Sequence, residues 1–255
     1  AVSLFLDRDV VLCYNKTNFE EILHMIHKPR LSREFCYVLA TLFLSLGAAL
    51  MSKANFGLSS IVAPAYLLSQ IFHVSFGTAE YCLQGVLVVA VCLLVRRFRW
   101  TYLLSFVSAF LYGLALDGML WLLSLTGDWG IVLRLFMMVI GLILSSLGVS
   151  LFFKTYLAPG AYELFVKEVS RHHKLNMSRF KIWYDLISCV VAVVLSLVAF
   201  HSLFDHGIGI GTVLVALVNG LIIGWFSQLL DRCFTFFDRF PLAKYFESEE
   251  SQNRT

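Results

Sequence analysis

Leu46-Gly47-Ala48-Ala49-Leu50-Met51-Ser52-Lys53 returns 101 positions later as Leu147-Gly148-Val149-Ser150-Leu151-Phe152-Phe153-Lys154. Each copy closes a long apolar run. Each is followed by a short stretch opened by small residues, then by two further apolar runs. No other feature constrains the fold as much. Three crossings per copy is an odd number, so in a bilayer the second copy enters upside down relative to the first. The architecture expected is an all-α integral membrane protein. It has six transmembrane helices as two inverted three-helix repeats, each with an additional short broken or re-entrant helix.

The membrane reading rests on composition as well as order. The chain is 59% apolar and only 15% charged, with a mean hydropathy of +0.78, which is outside the balance of a soluble domain. A bilayer core takes about 20 apolar residues as helix. Six runs qualify: Phe35–Ser52, Ala79–Val95, Tyr102–Leu125, Ile131–Phe153, Ile182–Phe204 and Ile208–Leu230. None alternates as a barrel strand would, and lipid cannot satisfy open backbone groups, so these are helices. The division expected is a cytoplasmic N-terminal segment (1–33), repeat one (34–127), repeat two (128–230) and a cytoplasmic amphipathic tail (231–255).

Basic residues set the orientation. Lys28, Arg30 and Arg33 precede the first run, and Arg96, Arg97 and Arg99 fill the turn between the second and third. Lys167, Arg171, Lys174, Arg179 and Lys181 lie between the fourth and fifth; Arg232, Arg239 and Lys244 follow the sixth. The alternate loops are poor in such residues, which places both termini in the cytoplasm. Trp100, Trp121, Trp129, Trp183 and Trp225 fall near run ends, as interfacial tryptophan does. No cleavable signal peptide is read at the start. A short amphipathic cytosolic helix is expected around Phe19–Ile26. In the tail, Phe234, Phe236, Phe237, Phe240 and Phe246 alternate with Arg232, Arg239 and Lys244. That segment is either interfacial or a helix packed on the loops.

Each copy holds one piece too short to span. In the first, Gly57-Leu58-Ser59-Ser60 leads into Ile61–Phe72; in the second, Ala158-Pro159-Gly160 leads into Ala161–Ser170. Small residues and proline permit a turn and a helix start. If each piece dips into the bilayer, its amino-terminal amides face the middle of the protein and favour an anion. The alternative is a pair of amphipathic helices lying on the membrane surfaces. A central cavity between the copies is expected, with Asn55, Ser59, Ser60, Gln84, Thr155, Tyr156 and Asp185 as candidate solute-binding residues. Gln84 and Asp185 are repeat mates in the second and fifth runs.

Charge at membrane depth is costly and directs attention to function. Asp117 in the third run is the candidate coupling residue, with Arg134 its candidate partner; the alternatives are a packing role for Asp117 and, for Arg134, Asp128 or the headgroups. Glu80 and Lys181 are mates at the starts of their runs and read as solvated. His201 near the end of the fifth run reads as interfacial. Lys53 and Lys154 read as interfacial anchors. Gly207-Ile208-Gly209-Ile210-Gly211-Thr212 lacks the soluble strand of a nucleotide-binding loop and reads as a tight, closely packed turn. Gly220 and Gly224 form a small-xxx-small pair. Gly113 aligns with Gly220, which predicts matched helix crossings. The six cysteines form no CxxC pair. No metal cluster, activated nucleophile or cofactor motif is read, so neither an enzyme nor a cofactor is expected.

The duplicated Leu-Gly, the small-residue opening of the short helix, and Gly209-Ile210-Gly211-Thr212 with Gly220 downstream together resemble the YczE/YyaS/YitT group of bacterial integral membrane proteins. The resemblance covers roughly residues 35–230. In the first copy no proline accompanies Gly57, and Pro64 comes a turn later. The resemblance implies a multi-pass protein of the bacterial cytoplasmic (inner) membrane and carries over no substrate or catalytic residue.

The function expected is a secondary transporter or permease for a small anionic or zwitterionic solute, with an intramembrane carboxylate coupling movement to protons or a cation. The alternatives are a non-transporting accessory or scaffold protein and the substrate-binding subunit of a multi-component transporter. Expected partners are the lipid bilayer and a small-molecule solute. A homo-oligomer is left open, and nucleic acid is not expected at a net charge of +3.

Overall fold

The computed structural model describes residues 29–96, 100–155, 160–175, 177–201 and 210–237. Its elements in chain order are β1 (Arg30–Ser32), α1 (Arg33–Ala54), α2 (Ala63–Phe72), α3 (Phe76–Val95) and α4 (Trp100–Ser124), followed by α5 (Ile131–Phe152), α6 (Ala161–His172), α7 (Met177–Phe200), α8 (Ile210–Cys233) and β2 (Thr235–Phe237). Six of these helices are long and apolar enough to cross a membrane: α1, α3, α4, α5, α7 and α8. They correspond one for one to the six apolar runs, and α2 and α6 to the two short pieces. The helical body is thus that of an all-α multi-pass membrane protein. The expected helix around Phe19–Ile26 lies outside the described residues.

Local chemistry sets the helix ends. The Ser32 hydroxyl accepts the Phe35 amide at 3.3 Å and starts α1. Asn55 ends it in a left-handed conformation (φ 59°), with its amide returned to the Met51 carbonyl. Pro64 sits in the first turn of α2, where its missing N–H costs no hydrogen bond. The Ser75 hydroxyl accepts the Thr78 amide and starts α3. Large apolar side chains face outward on every long helix, among them Phe35, Leu93, Phe110, Ile131, Val198 and Leu221. In water such a surface would aggregate; in lipid it is the expected exterior.

The centre of the body is the crossing of α1 with α5, the most extensive helix pairing in the molecule. A methyl group on Gly47 would stand 2.6 Å from the Gly141 carbonyl oxygen and 2.6 Å from the Ser145 amide. One on Gly148 would stand 2.8 Å from the Leu44 amide and 2.9 Å from the Ala40 carbonyl oxygen. Only the absent side chains let the two backbones come so close. The partners run in opposite order along the two helices, so α1 and α5 are antiparallel. They also exchange under the 101-residue shift: Gly47 meets Gly141, and its mate Gly148 meets Ala40, the mate of Gly141.

The remaining contacts follow the same exchange. Helix α2 packs on α7, and α6 packs on α3, so each short helix lies against the second long helix of the other copy. Lys53, after the repeated motif, donates to the Leu123 carbonyl at 2.6 Å and to Thr126 Oγ1 at 2.8 Å, at the end of α4. Its mate Lys154 pairs with Asp231 at 2.7 Å, at the end of α8. Both lysines therefore tie the first long helix of a copy to the third, at a carboxyl-terminal end where a cation is favourable. The copies also differ: among the described residues α3 and α4 pack extensively, whereas α7 and α8 meet only sparsely.

Several expectations are corrected here. Residues 235–237 are a strand and not a helix: they pair in parallel with Arg30–Ser32, Leu31 opposite Phe236. Gly113 does make a tight crossing, its added methyl lying 2.7 Å from the Gly77 carbonyl oxygen, but nothing stands within 4 Å of Gly220 or Gly224. Among the described residues no matched crossing forms at these glycines, and Gly220 borders the cavity described below. Trp129 is buried in the protein, with the Lys53 ammonium 4.6 Å from the centre of its ring. Gly211 and Gly57 do pack backbone against backbone, joining the break of copy one to the start of α8, and the Leu58 amide donates to Thr212 Oγ1 there at 3.3 Å.

Candidate solute cavity

Two short helices cannot cross a bilayer, and their end groups need partners in the protein or in water. Helix α2 buries Ala63, Pro64, Ala65, Leu67 and Ser69. Helix α6 buries Ala161, Tyr162, Leu164, Val166 and Val169, and the carboxylate of its Glu168 accepts the Tyr102 hydroxyl of α4 at 3.0 Å. Each buries one face against the helical body. Between them, and beside the α1–α5 crossing, is a cavity of about 150 Å³.

Both copies build it. Ala48 and Val149, Ser59 and Gly160, and Gln84 and Asp185 all line it, each pair separated by the 101-residue shift. The segments that open α2 and α6 border it: Ser59 to Val62 on one side, Gly160 and Tyr162 on the other. Asn219 of α8 also lines it and is held by the Ser146 hydroxyl of α5 at 2.7 Å.

The polar centre is on α3. Glu80 is 0% exposed. Its Oε2 accepts the Tyr162 hydroxyl at 3.1 Å, and its Oε1 accepts Nε2 of Gln84 at 3.1 Å. Gln84 Oε1 in turn accepts the Ala161 amide at 3.0 Å, so a side chain of α3 caps the amino-terminal end of α6. Buried polar groups persist in apolar surroundings only when bonded, and here each bond crosses a helix boundary or a helical turn. Glu80, Gln84, Tyr162 and Asp185 all border the cavity.

Of the candidate binding residues, Ser59, Ser60, Gln84 and Asp185 are brought together on the lining. Asn55 and Thr155 are not: Asn55 ends α1, and the Thr155 hydroxyl donates to the Phe152 carbonyl at 2.8 Å beyond the end of α5. Both are spent on helix termini. Tyr156 lies outside the described residues. Asp117 is not on the lining either. Its carboxylate accepts the Ser75 hydroxyl at 2.6 Å and the Gly77 amide at 2.7 Å, at the amino-terminal end of α3. An anion is favourable there, and the acid acts as a cap supplied by a neighbouring helix. Arg134 donates through Nε to the Trp129 carbonyl at 3.0 Å, so in place of the expected Asp117–Arg134 partnership Asp117 is bonded to the start of α3 and Arg134 to its own turn.

Glu80 is the residue the sequence misplaced. The apolar run begins at Ala79, which puts Glu80 at a solvated end. The helix begins at Phe76, after the Ser75 cap, and carries Glu80 a turn inside. The signal was present in the spacing: Glu80 and Gln84 stand four apart, on one helix face.

The model of DUF6198, a family of unknown function, matches residues 31–228. That range leaves out the ends of the chain much as the resemblance to the YczE/YyaS/YitT group did. YyaS of Bacillus subtilis, a protein described as uncharacterized, is 26% identical over 204 residues, covering 78% of this chain and 94% of YyaS. No solved structure matches.

Proposed function

This chain belongs to the DUF6198 family, and from that premise we propose that it is a secondary carrier, built as two inverted copies, that moves a small solute across a bacterial cytoplasmic membrane without changing it chemically. One observation carries the reading: a cavity at the junction of the two copies, lined by residues that exchange under the 101-residue shift. A site shared by two equivalent halves can be approached from either side when the halves rock against each other. The inverted arrangement is supported by the antiparallel α1–α5 crossing and by the exchange of its contacts between copies. The cytoplasmic placement of both ends rests on the basic loops. The β1–β2 pairing supports it further, because it puts the two ends of the helical body side by side.

The coupling role assigned to Asp117 and Arg134 from sequence passes to the carboxylates at the cavity, Glu80 and Asp185. Asp117 is committed to a helix end. Among the described residues α7 packs more loosely on α8 than α3 does on α4, which favours assigning the larger movement to the second copy. Purified protein alone in sealed liposomes tests the carrier reading. It predicts saturable solute movement that an accessory protein or a binding subunit would not support without partners.

A further inference from the structure

The two short helices begin alike in their backbone and differ in how their first amides are satisfied. In α6 the Leu164 amide donates to the Gly160 carbonyl at 3.2 Å; in α2 its mate, the Ala63 amide, donates to the Ser59 carbonyl at 2.9 Å. The 101-residue shift carries one bond onto the other. The first turn of α2 therefore opens at Ser60, as that of α6 opens at Ala161. The leading amides of a helix have no partner within it and need one from outside.

In α6 that partner is a side chain: the Ala161 amide donates to Gln84 Oε1 of α3 at 3.0 Å. The mate of Ala161 is Ser60, and the mate of Gln84 is Asp185 of α7. Both mates line the cavity, yet no hydrogen bond joins them. Aspartate is a methylene shorter than glutamine. Among the described residues nothing accepts from the Ser60 amide or from the adjacent Ile61 amide. The Ser60 hydroxyl is without a bond as well, although the residue is only 3% exposed and borders the cavity. Thr41, Ser45, Ser145, Ser146 and Ser150 return their hydroxyls to a carbonyl of the preceding helical turn. Ser60 has no helical turn before it. A polar group buried in this way is costly until something bonds it.

This end of α2 is held in place. Gly57 packs on the Gly211 backbone, and the Leu58 amide is fixed by Thr212 Oγ1 at 3.3 Å. Donors held in advance lose little freedom when a ligand arrives. What they bind must be an acceptor, and the amino-terminal end of a helix favours an oxygen that carries negative or partial negative charge. Gln84 shows at the matched position which group fits, a planar carbonyl-type oxygen.

We propose that the start of α2 docks a small solute through a carboxylate or carboxamide oxygen. That oxygen takes at the Ser60 amide the place that Gln84 Oε1 takes at Ala161, with the Ser60 hydroxyl and the Ile61 amide beside it. The rest of the solute meets the apolar wall of Leu58, Val62 and Ile223 in a space of about 150 Å³. Recognition of this kind needs no particular charge on either acid of the wall. The proposal deepens the carrier reading and rests on the same cavity.

The test uses the full chain in detergent, with sodium propionate, propionamide and propylammonium chloride as probes and sodium chloride added to equal ionic strength. Propionate, propionamide or both should raise the unfolding temperature saturably, because a ligand that binds only the folded state stabilises it. Which of them does so identifies the docked group. Propylammonium, which offers donors and no acceptor, should not. Ser60→Ala removes a hydroxyl that holds nothing in the unliganded protein, so it should leave the unfolding temperature without probe in place. It should weaken the apparent affinity about two- to tenfold, the worth of one hydrogen bond. Asp185→Gln restores the length of Gln84 at the matched position. Its own carboxamide should then occupy the Ser60 amide and weaken probe binding more than Asp185→Asn does. If Asp185→Gln does not fold, Ser60→Ala carries the variant test. No saturable rise with either acceptor probe, an equal rise with propylammonium, or undiminished affinity in every variant that folds would each overturn the proposal. Flux in liposomes separates the two readings. Binding without saturable, protein-dependent movement of the bound probe leaves the site standing and removes the carrier. Saturable movement of propylammonium without binding of either acceptor probe does the reverse.

Discussion

The Tyr162 hydroxyl of α6 donates to Glu80 Oε2 of α3 at 3.1 Å, joining the two copies of the repeat through one buried hydrogen bond. Neither residue is a repeat mate of the other: the mate of Tyr162 is Ile61 and that of Glu80 is Lys181. The polar centre is therefore an asymmetric addition to a scaffold whose backbone contacts are exchanged between copies.

A double-mutant cycle over Glu80→Gln and Tyr162→Phe measures this link. Hydrogen bonds to charged groups contribute about 1.5–3 kcal/mol, and contacting residues couple by about 0.5–3 kcal/mol. Thermal unfolding in detergent should show the double variant less destabilised than the sum of the singles. Strict additivity would mean that the contact carries no energy.

Gly47→Val should disrupt the α1–α5 crossing, where the added carbons meet backbone that cannot move aside. Overpacking costs about 1–3 kcal/mol where neighbours can yield, and here the loss should lie at or above the top of that range. Gly220→Ala is the control. With nothing within 4 Å of the new methyl group, stability should hold or rise by up to about 1 kcal/mol from helix propensity. Equal losses in the two variants would contradict the packing described.

Asp117→Ala should destabilise the protein by about 0.5–2 kcal/mol, the cost of losing a helix cap. Asp117→Asn keeps an acceptor for the Gly77 amide and should lose less. In liposomes Asp117→Asn should retain driven flux with unchanged pH dependence. Normal folding with flux no longer driven by a proton gradient would return the coupling role to this residue.

The two matched lysines should differ in weight. Lys154 pairs with an Asp231 that is 59% exposed, and exposed pairs contribute about 0–1 kcal/mol, weakened by salt. Lys53 holds two oxygens at the end of α4 and lies over a buried ring. Lys53→Met should therefore lower the unfolding temperature more than Asp231→Asn, and its effect should vary less with ionic strength.

Single cysteines introduced at Asp128 and Lys174 into a chain stripped of its native cysteines should label from opposite sides of the membrane. Asp128 lies in the turn between α4 and α5, and Lys174 lies between α6 and α7. Both are exposed. Labelling of both from one side would reject the crossing order on which the inverted arrangement depends.

Much of this was legible in residue order, for physical reasons. Apolar runs of membrane length must be helices, because lipid offers the backbone no partners, so the six spans fell within a few residues of the observed helices. The repeated Leu-Gly pairs identified both halves and the residues at which they cross. The mates Gln84 and Asp185 shared an inward face because helical period survives duplication. What sequence could not decide was how each polar group is satisfied. Glu80 stands at the start of an apolar run and Asp117 inside one, and those positions do not say which acid borders the cavity. Only the tertiary structure brings Ser75 and the end of α3 to Asp117, and Tyr162 to Glu80 beside the cavity. The partner of a buried charge is fixed by helices distant in sequence, and its role follows from that partner.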